Sequence, residues 1–114
     1  MTTAKFSESD NKFSAHIEGH AGYSHCGPDI VCSACSILAY TMLQSILSTG
    51  GECIKELSYG DDPDNGTFML DIVAPSEEEA ERIRTIYKVI ASGFALLADQ
   101  YPQNVNLCVN LQGN

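Results

Sequence analysis

Two histidines and three cysteines fall within Gly19–Ser36, "GHAGYSHCGPDIVCSACS", in a chain with three histidines and five cysteines in all. A thiol is a useful nucleophile only as its anion, and a helix N-terminus together with a nearby imidazole lowers its pKa below the ~8.5 of free cysteine. His20 and Cys32 are the pair best spaced for this, separated by a loop of small residues, "AGYSHCGPD". His20 would act as general base, or as the cationic half of an ion pair, and then protonate a leaving amine. Spacing alone leaves a plainer reading open, in which Cys32 is a small buried residue and His20 is bonded to backbone.

The same stretch permits two other chemistries. Cys32 and Cys35 form C-S-A-C at a helix start, the arrangement of a thioredoxin-like redox pair, although the parallel βαβ context of that motif is missing. His20, His25, Cys26, Cys32 and Cys35 are also zinc-type ligands, but they crowd one loop and helix without a second short-spaced pair. No metal and no cofactor is therefore expected. His16 reads as a solvated strand residue, Cys53 and Cys108 as strand residues that fill or flank a sheet, and Glu77 to Glu79 as first-turn compensation of a helix dipole. The sequence has no G-x-S-x-G, H-E-x-x-H or P-loop.

The elements that must position these residues follow from periodicity. "TTAKFSES" and "KFSAHIEG" read as a hairpin across "SDNK", with Phe13, Ala15 and Ile17 on one face of the second strand. From Pro28, suited to a first helical position, to about Ser48, Val31, Cys35, Leu38, Met42 and Ile46 recur at helical spacing, and Gly50-Gly51 follow. "ECIKELSYG" and "GTFMLDIVA" form a second hairpin across "DDPDNG", with Phe68, Leu70 and Ile72 alternating. Ser76 followed by Glu79 has the form of a capping box. It opens a helix carrying Ile83, Tyr87, Ile90, Phe94 and Leu97, and that helix stops before Pro102. "NVNLCVNL" closes the chain as a strand with Val105, Leu107, Val109 and Leu111 on one side. The order ββαββαβ predicts an α+β two-layer sandwich, two helices on one face of a mainly antiparallel sheet.

A chain of 114 residues, 44% hydrophobic and 18% charged, suits one globular domain over residues 1–114 without a repeat. A net charge of -9 with only six Lys and Arg argues against a direct nucleic-acid partner. It favours a basic one. No apolar run is expected to reach the ~18 residues of a membrane span. Charge breaks "MTTAKFSESDNKFS" before a signal-peptide core can form, so no membrane association and a cytoplasmic location are expected. Five cysteines then read as reduced thiols.

The stretch "GHAGY" followed by "GPDIVCSACS" resembles the G-H-A and G-x-D-I-V-C-A-A-x-S signature of the ribosomal-processing cysteine protease family, Prp. The late "YPQNVNL" is similar to the Y-P-x-x-V segment near that family's C-terminus, so the resemblance covers essentially the whole chain. It implies a bacterial cysteine endopeptidase, usually a homodimer, that removes a short N-terminal extension from large-subunit ribosomal protein number twenty-seven.

Carried over by motif position, Cys32 is the nucleophile and His20 its partner. Gly19 permits a bend beside the histidine, Asp29 orients the imidazole or caps the helix, and Ser36 closes the motif. Residues Ala21, Gly22, Tyr23, Ser24, His25, Cys26, Gly27 and Pro28 form the substrate loop, and backbone N–H groups near the helix start are the expected oxyanion donors. Ser33 and Cys35 depart from the alanine and small apolar residue usual in the family, and the added thiol at Cys35 can pair with Cys32 and silence it. The competing class is a non-enzymatic, dimeric ribosome assembly factor that holds the same basic peptide without cutting it.

Overall fold

The computed structural model describes residues 1–24, 29–51, 54, 56–62 and 64–112. The elements run β1 (Thr2–Ser9), β2 (Lys12–Glu18), α1 (Ile30–Ser48), β3 (Glu56–Asp62), β4 (Thr67–Val73), α2 (Glu77–Gln100) and β5 (Val105–Asn110). They form the expected α+β layers, with a five-stranded sheet of order β3-β4-β2-β1-β5. Every neighbouring pair is antiparallel except β1 and β5.

The first hairpin forms because Asp10 and Asn11 accept positive φ, 51° and 64°, in a two-residue turn whose twist matches the strands. That turn fixes the register Ser9↔Lys12, which places Phe13, Ala15 and Ile17 in line with Glu8, Phe6 and Ala4 on the inner face. Phe68, Leu70 and Ile72 continue the same rows across β4. The two helices cover these rows, and Tyr87 of α2 inserts between Phe6 and Phe13, edge-on to both rings at 5.8 and 5.6 Å. Among the described residues the buried Tyr87 hydroxyl finds no hydrogen-bond partner, and burial raises its pKa.

Several expectations need correcting. Asp29 is the N-cap of α1, so the first helical position is Ile30, not Pro28. Aspartate wins the boundary because its side chain can satisfy free first-turn N–H groups, which proline cannot do. Ala39 rather than Leu38 fills the core stripe of α1. Leu38 instead lies over Gly93, where a Cβ would meet its Cδ2 at 2.7 Å; the bare glycine lets the two helices approach. The span Ile30–Ser48 is, by length and composition, apolar enough to cross a membrane, contrary to the expectation that no such run exists. Here it carries Val31, Cys35, Ala39, Met42 and Ile46 into the core.

The β3 strand starts at Glu56, and Cys53 lies outside the described residues. Ser76 accepts from the Glu79 N–H at 3.2 Å, but the Glu79 carboxylate turns to Arg82, so only half of a capping box forms. Val109 is half exposed at the sheet edge rather than buried.

Candidate active site

The site sits where β2 ends. Gly19 has φ +92°, and a Cβ there would lie 2.4 Å from the Met1 carbonyl oxygen, so only glycine fits. Its N–H donates to the Gly66 carbonyl at 2.8 Å, and its own carbonyl accepts from the Thr2 hydroxyl at 3.0 Å. The chain is thereby clamped between the first strand and the β3–β4 turn. His20 follows, exposed, with Nε2 3.2 Å from the Asp64 carbonyl. A carbonyl only accepts, so Nε2 is the donor, and the neutral ring keeps its lone pair on Nδ1.

Ala21, the next residue, is buried and faces both ways. Its N–H donates to Cys32 Sγ at 3.2 Å, and its carbonyl accepts from Asn104 Nδ2 at 3.0 Å. One peptide unit thus ties the histidine segment to the cysteine sulfur. Gly22 and Tyr23 are exposed, and the Tyr23 ring stands edge-on to Tyr101 at 5.4 Å. His25, Cys26, Gly27 and Pro28 lie outside the described residues.

Asp29 is fully engaged. One carboxylate oxygen accepts from the Val31 and Cys32 N–H groups, both at 3.0 Å, and the other from Tyr23 at 3.0 Å and Ser24 at 3.2 Å. Burial alone would raise this carboxyl, but the four N–H donors together hold it below the ordinary aspartate range. Of the two roles expected for Asp29 its contacts are those of the cap, and it also pins the loop strand to the helix. The expected oxyanion donors at the helix start need revision for the same reason. The N–H groups of Val31 and Cys32 are taken by the Asp29 side chain, and that of Ser33 by the Asp29 carbonyl at 3.0 Å.

His20 and Cys32 border one cleft of about 310 Å³, with Gly19 and Ser36 on its wall. Residues that the sequence did not single out for the site complete it. Tyr40, whose hydroxyl donates to the Asp61 carboxylate, stands edge-on to Phe68 at 5.9 Å, and all three border the cleft. Tyr40 had a legible signal, since Cys32, Ser36 and Tyr40 repeat at intervals of four and so share one side of α1. Asp61 had none and Phe68 was legible only as an alternating strand residue, because only the pairing of β3 with β4 brings the two level.

Cys35 is buried beside Cys32, and burial pushes its thiol up to about 11, with the nearby Cys32 adding to the effect and the Thr2 hydroxyl opposing it. Cys32, Cys35 and Cys108 are free thiols. Cys108 is exposed on β5 and flanks the sheet rather than filling it. His16 is half-buried, with Nε2 3.6 Å from the Asp71 carboxylate, and is less solvated than expected. Among the described residues no group of three or more His, Cys, Asp or Glu side chains is placed to hold a metal.

This fold has counterparts among known proteins. The family model for cysteine protease Prp matches residues 1–106. The chain belongs to the cysteine protease Prp family. No curated protein matches the sequence. Among solved structures, the essential ribosomal processing protease Prp from S. aureus, in complex with a covalently linked product peptide, superposes with a TM-score of 0.77 at 21% identity, covering 96% of this chain and 100% of that one. The same S. aureus protease in complex with a substrate peptide gives 0.73 at 20% identity, with the same coverage. SMU.848 from Streptococcus mutans gives 0.73 at 25% identity, covering 98% of this chain and 96% of that one.

Proposed function

We propose that this protein is a cysteine endopeptidase, with Cys32 as nucleophile and His20 as general base and acid, that removes a short basic N-terminal extension from large-subunit ribosomal protein number twenty-seven. It would act as a homodimer in the cytoplasm, as the family resemblance implies. The observation that carries the reading is the Ala21 N–H bonded to Cys32 Sγ, because it fixes the residue next to His20 on the sulfur itself.

In this reading Nδ1 of His20 takes the Cys32 proton while Nε2–H stays on the Asp64 carbonyl, which also supports the imidazolium once formed. The thiolate attacks the scissile carbonyl. The imidazolium protonates the departing amine, and the acyl-enzyme is hydrolysed by a water that His20 activates. The covalently linked product peptide in the S. aureus relative is the kind of species this sequence of steps requires. A chain of net charge -9, with Asp61 on the cleft wall, suits a basic peptide.

The test is incubation of the reduced protein with a peptide spanning the N-terminal extension, followed by mass spectrometry. Two fragments are expected from the wild type and none from Cys32→Ala or His20→Ala, each still folded by circular dichroism. An intact peptide that nevertheless binds the wild type would reject the protease in favour of a holding factor.

The turn beneath the imidazole is tested separately. Gly66 has φ +64°, and a Cβ there would lie 3.1 Å from the Gly19 carbonyl and 3.2 Å from His20 Cε1. Gly66→Ala should lower kcat with KM little changed, by less than the roughly 100-fold that a 1 Å misplacement of a reacting group costs, since contacts this close require the neighbours to give by only a few tenths of an ångström. A shift in KM alone would mean that this turn does not position His20.

A further inference from the structure

We propose that Cys32 and Cys35 form a reversible oxidation site, in which a hydroperoxide oxidises Cys32 and Cys35 closes a disulfide onto it. The proposal rests on the reading of Cys32 as the reactive thiol but not on what that thiol cleaves.

Four observations place the pair. Cys32 and Cys35 stand three residues apart on α1, which sets their Cβ atoms about 5–6 Å apart. A disulfide needs about 3.5–4.5 Å, so a small closure within the first helical turns suffices. Both residues border the same cleft, so each side chain has open space beside it. Their accessibility is split: Cys32 is half-buried at the cleft wall, whereas Cys35 is 5% exposed. The sulfurs also sense each other, since Cys32 is one of the groups that raise the Cys35 thiol. A hydroperoxide therefore meets Cys32 first, while Cys35 stays a protonated thiol at neutral pH, slow to react with oxidant from solution. Of the other described thiols, Cys108 pairs in register with Lys5 and points away from the cleft, so it is no competitor within the fold.

The chemistry balances in two steps. The Cys32 thiolate attacks one oxygen of hydrogen peroxide and breaks the O–O bond, giving a sulfenic acid and hydroxide; sulfur loses two electrons and peroxide gains them. The Cys35 sulfur then attacks the sulfenic sulfur. Its proton leaves with the displaced hydroxyl as water, and the S–S bond remains. With its sulfur so bonded, Cys32 has no thiolate with which to attack a carbonyl. A dithiol reverses the link by exchange, whereas the sulfinic acid that forms when no resolving thiol is present is not recovered that way.

The experiment treats the reduced full chain with a several-fold molar excess of hydrogen peroxide at neutral pH, since sulfinic acid takes a second peroxide where the disulfide takes one, then alkylates the remaining thiols and maps the products by peptide fragmentation. The expected product is a Cys32–Cys35 link, lighter by two hydrogens and fully reopened by dithiothreitol. In Cys35→Ala, and independently in Cys35→Ser, Cys32 should instead advance to sulfinic acid that dithiothreitol does not restore. The proposal is overturned if wild-type Cys32 stays reduced, accumulates as sulfinic acid, or links to another cysteine. It is equally overturned if the Cys35 variants recover as the wild type does. Linkage is read by mass, so a chain that forms the disulfide but cuts no peptide would sink only the protease reading.

Discussion

The two helices lie side by side on one sheet, yet they solve the problem of their ends in opposite ways. Ile30–Ser48 contains no charged residue in 19 positions, whereas Glu77–Gln100 opens on three glutamates and carries its own arginines. The first helix therefore borrows. Asp29 supplies its N-terminal acceptor, and Arg82 of the second helix supplies its C-terminal donors, reaching the Ile46 carbonyl at 3.2 Å, the Gly50 carbonyl at 3.3 Å and the Thr49 hydroxyl at 2.7 Å. The second helix is capped by Ser76 and faced with acidic side chains toward its own dipole. The difference teaches a division of labour. The helix that carries Cys32 brings no charge of its own to compete with a sulfur anion, and the neighbouring helix holds the ion pairs that keep the layers together.

That division is open to attack in order of expected effect. The strongest blow falls on the second helix at Arg84, which holds the buried Glu8 carboxylate of β1 through both Nε and Nη2. Removing the guanidinium in Arg84→Ala leaves Glu8 buried without its ion-pair partner, holding only the Gln112 N–H at 3.1 Å and the more distant charge of Lys88, a loss of about 3 kcal/mol. Urea unfolding should show it, while peptide cleavage per folded molecule stays at the wild-type level; a fall in cleavage would erase the contrast between the helices.

Asp29→Ala comes next, because one carboxylate satisfies four N–H groups. About 2 kcal/mol of stability should be lost, and cleavage should fall with it. Ser76→Ala, the matching change on the second helix, should cost about 1 kcal/mol and leave cleavage untouched. Equal effects of the two caps on cleavage would show that Asp29 does no more than end a helix.

The smallest effect is a pH dependence. The Arg84 hydrogen bond holds Glu8 low against its burial, and Asp29 is held low by its donors, so both folded values lie below the reference values of 4.5 and 3.8. Their stabilisation is complete above those references and disappears as pH falls through the folded values. Acid titration followed by circular dichroism should therefore show a loss below about pH 4 that is shallower in Asp29→Asn.

Much of this architecture was legible in the sequence because its cues are local. Asp10-Asn11 declares the first turn, alternation declares the inner faces of β2 and β4, and the Ile83-Tyr87-Ile90-Phe94 stripe declares the second helix. The histidine and the cysteine proposed for the chemistry stand out in the sequence by type, and spacing alone leaves their role open. What supports them was not legible. Asp64 and Gly66 reach His20 only because β4 pairs with β2 in the register Glu18↔Thr67, a choice made by packing far from either residue. Asn104 reaches Ala21 across 83 residues because β5 pairs with β1, with the Thr2 N–H on the Asn104 carbonyl. The helix start was misjudged because proline and aspartate compete for adjacent positions, and propensity alone does not rank a cap that also serves a loop.

One feature of the sheet bears on when the molecule becomes competent. The parallel neighbour of β1 is β5, about a hundred residues later, with Thr2 beside Val105. Until both helices have been made and folded back, β1 keeps a bare edge, and a contact of such long sequence separation forms slowly. The carbonyl of Ala21 finds its Asn104 partner only after that strand has docked, so in the life of a nascent chain the cleft is finished last.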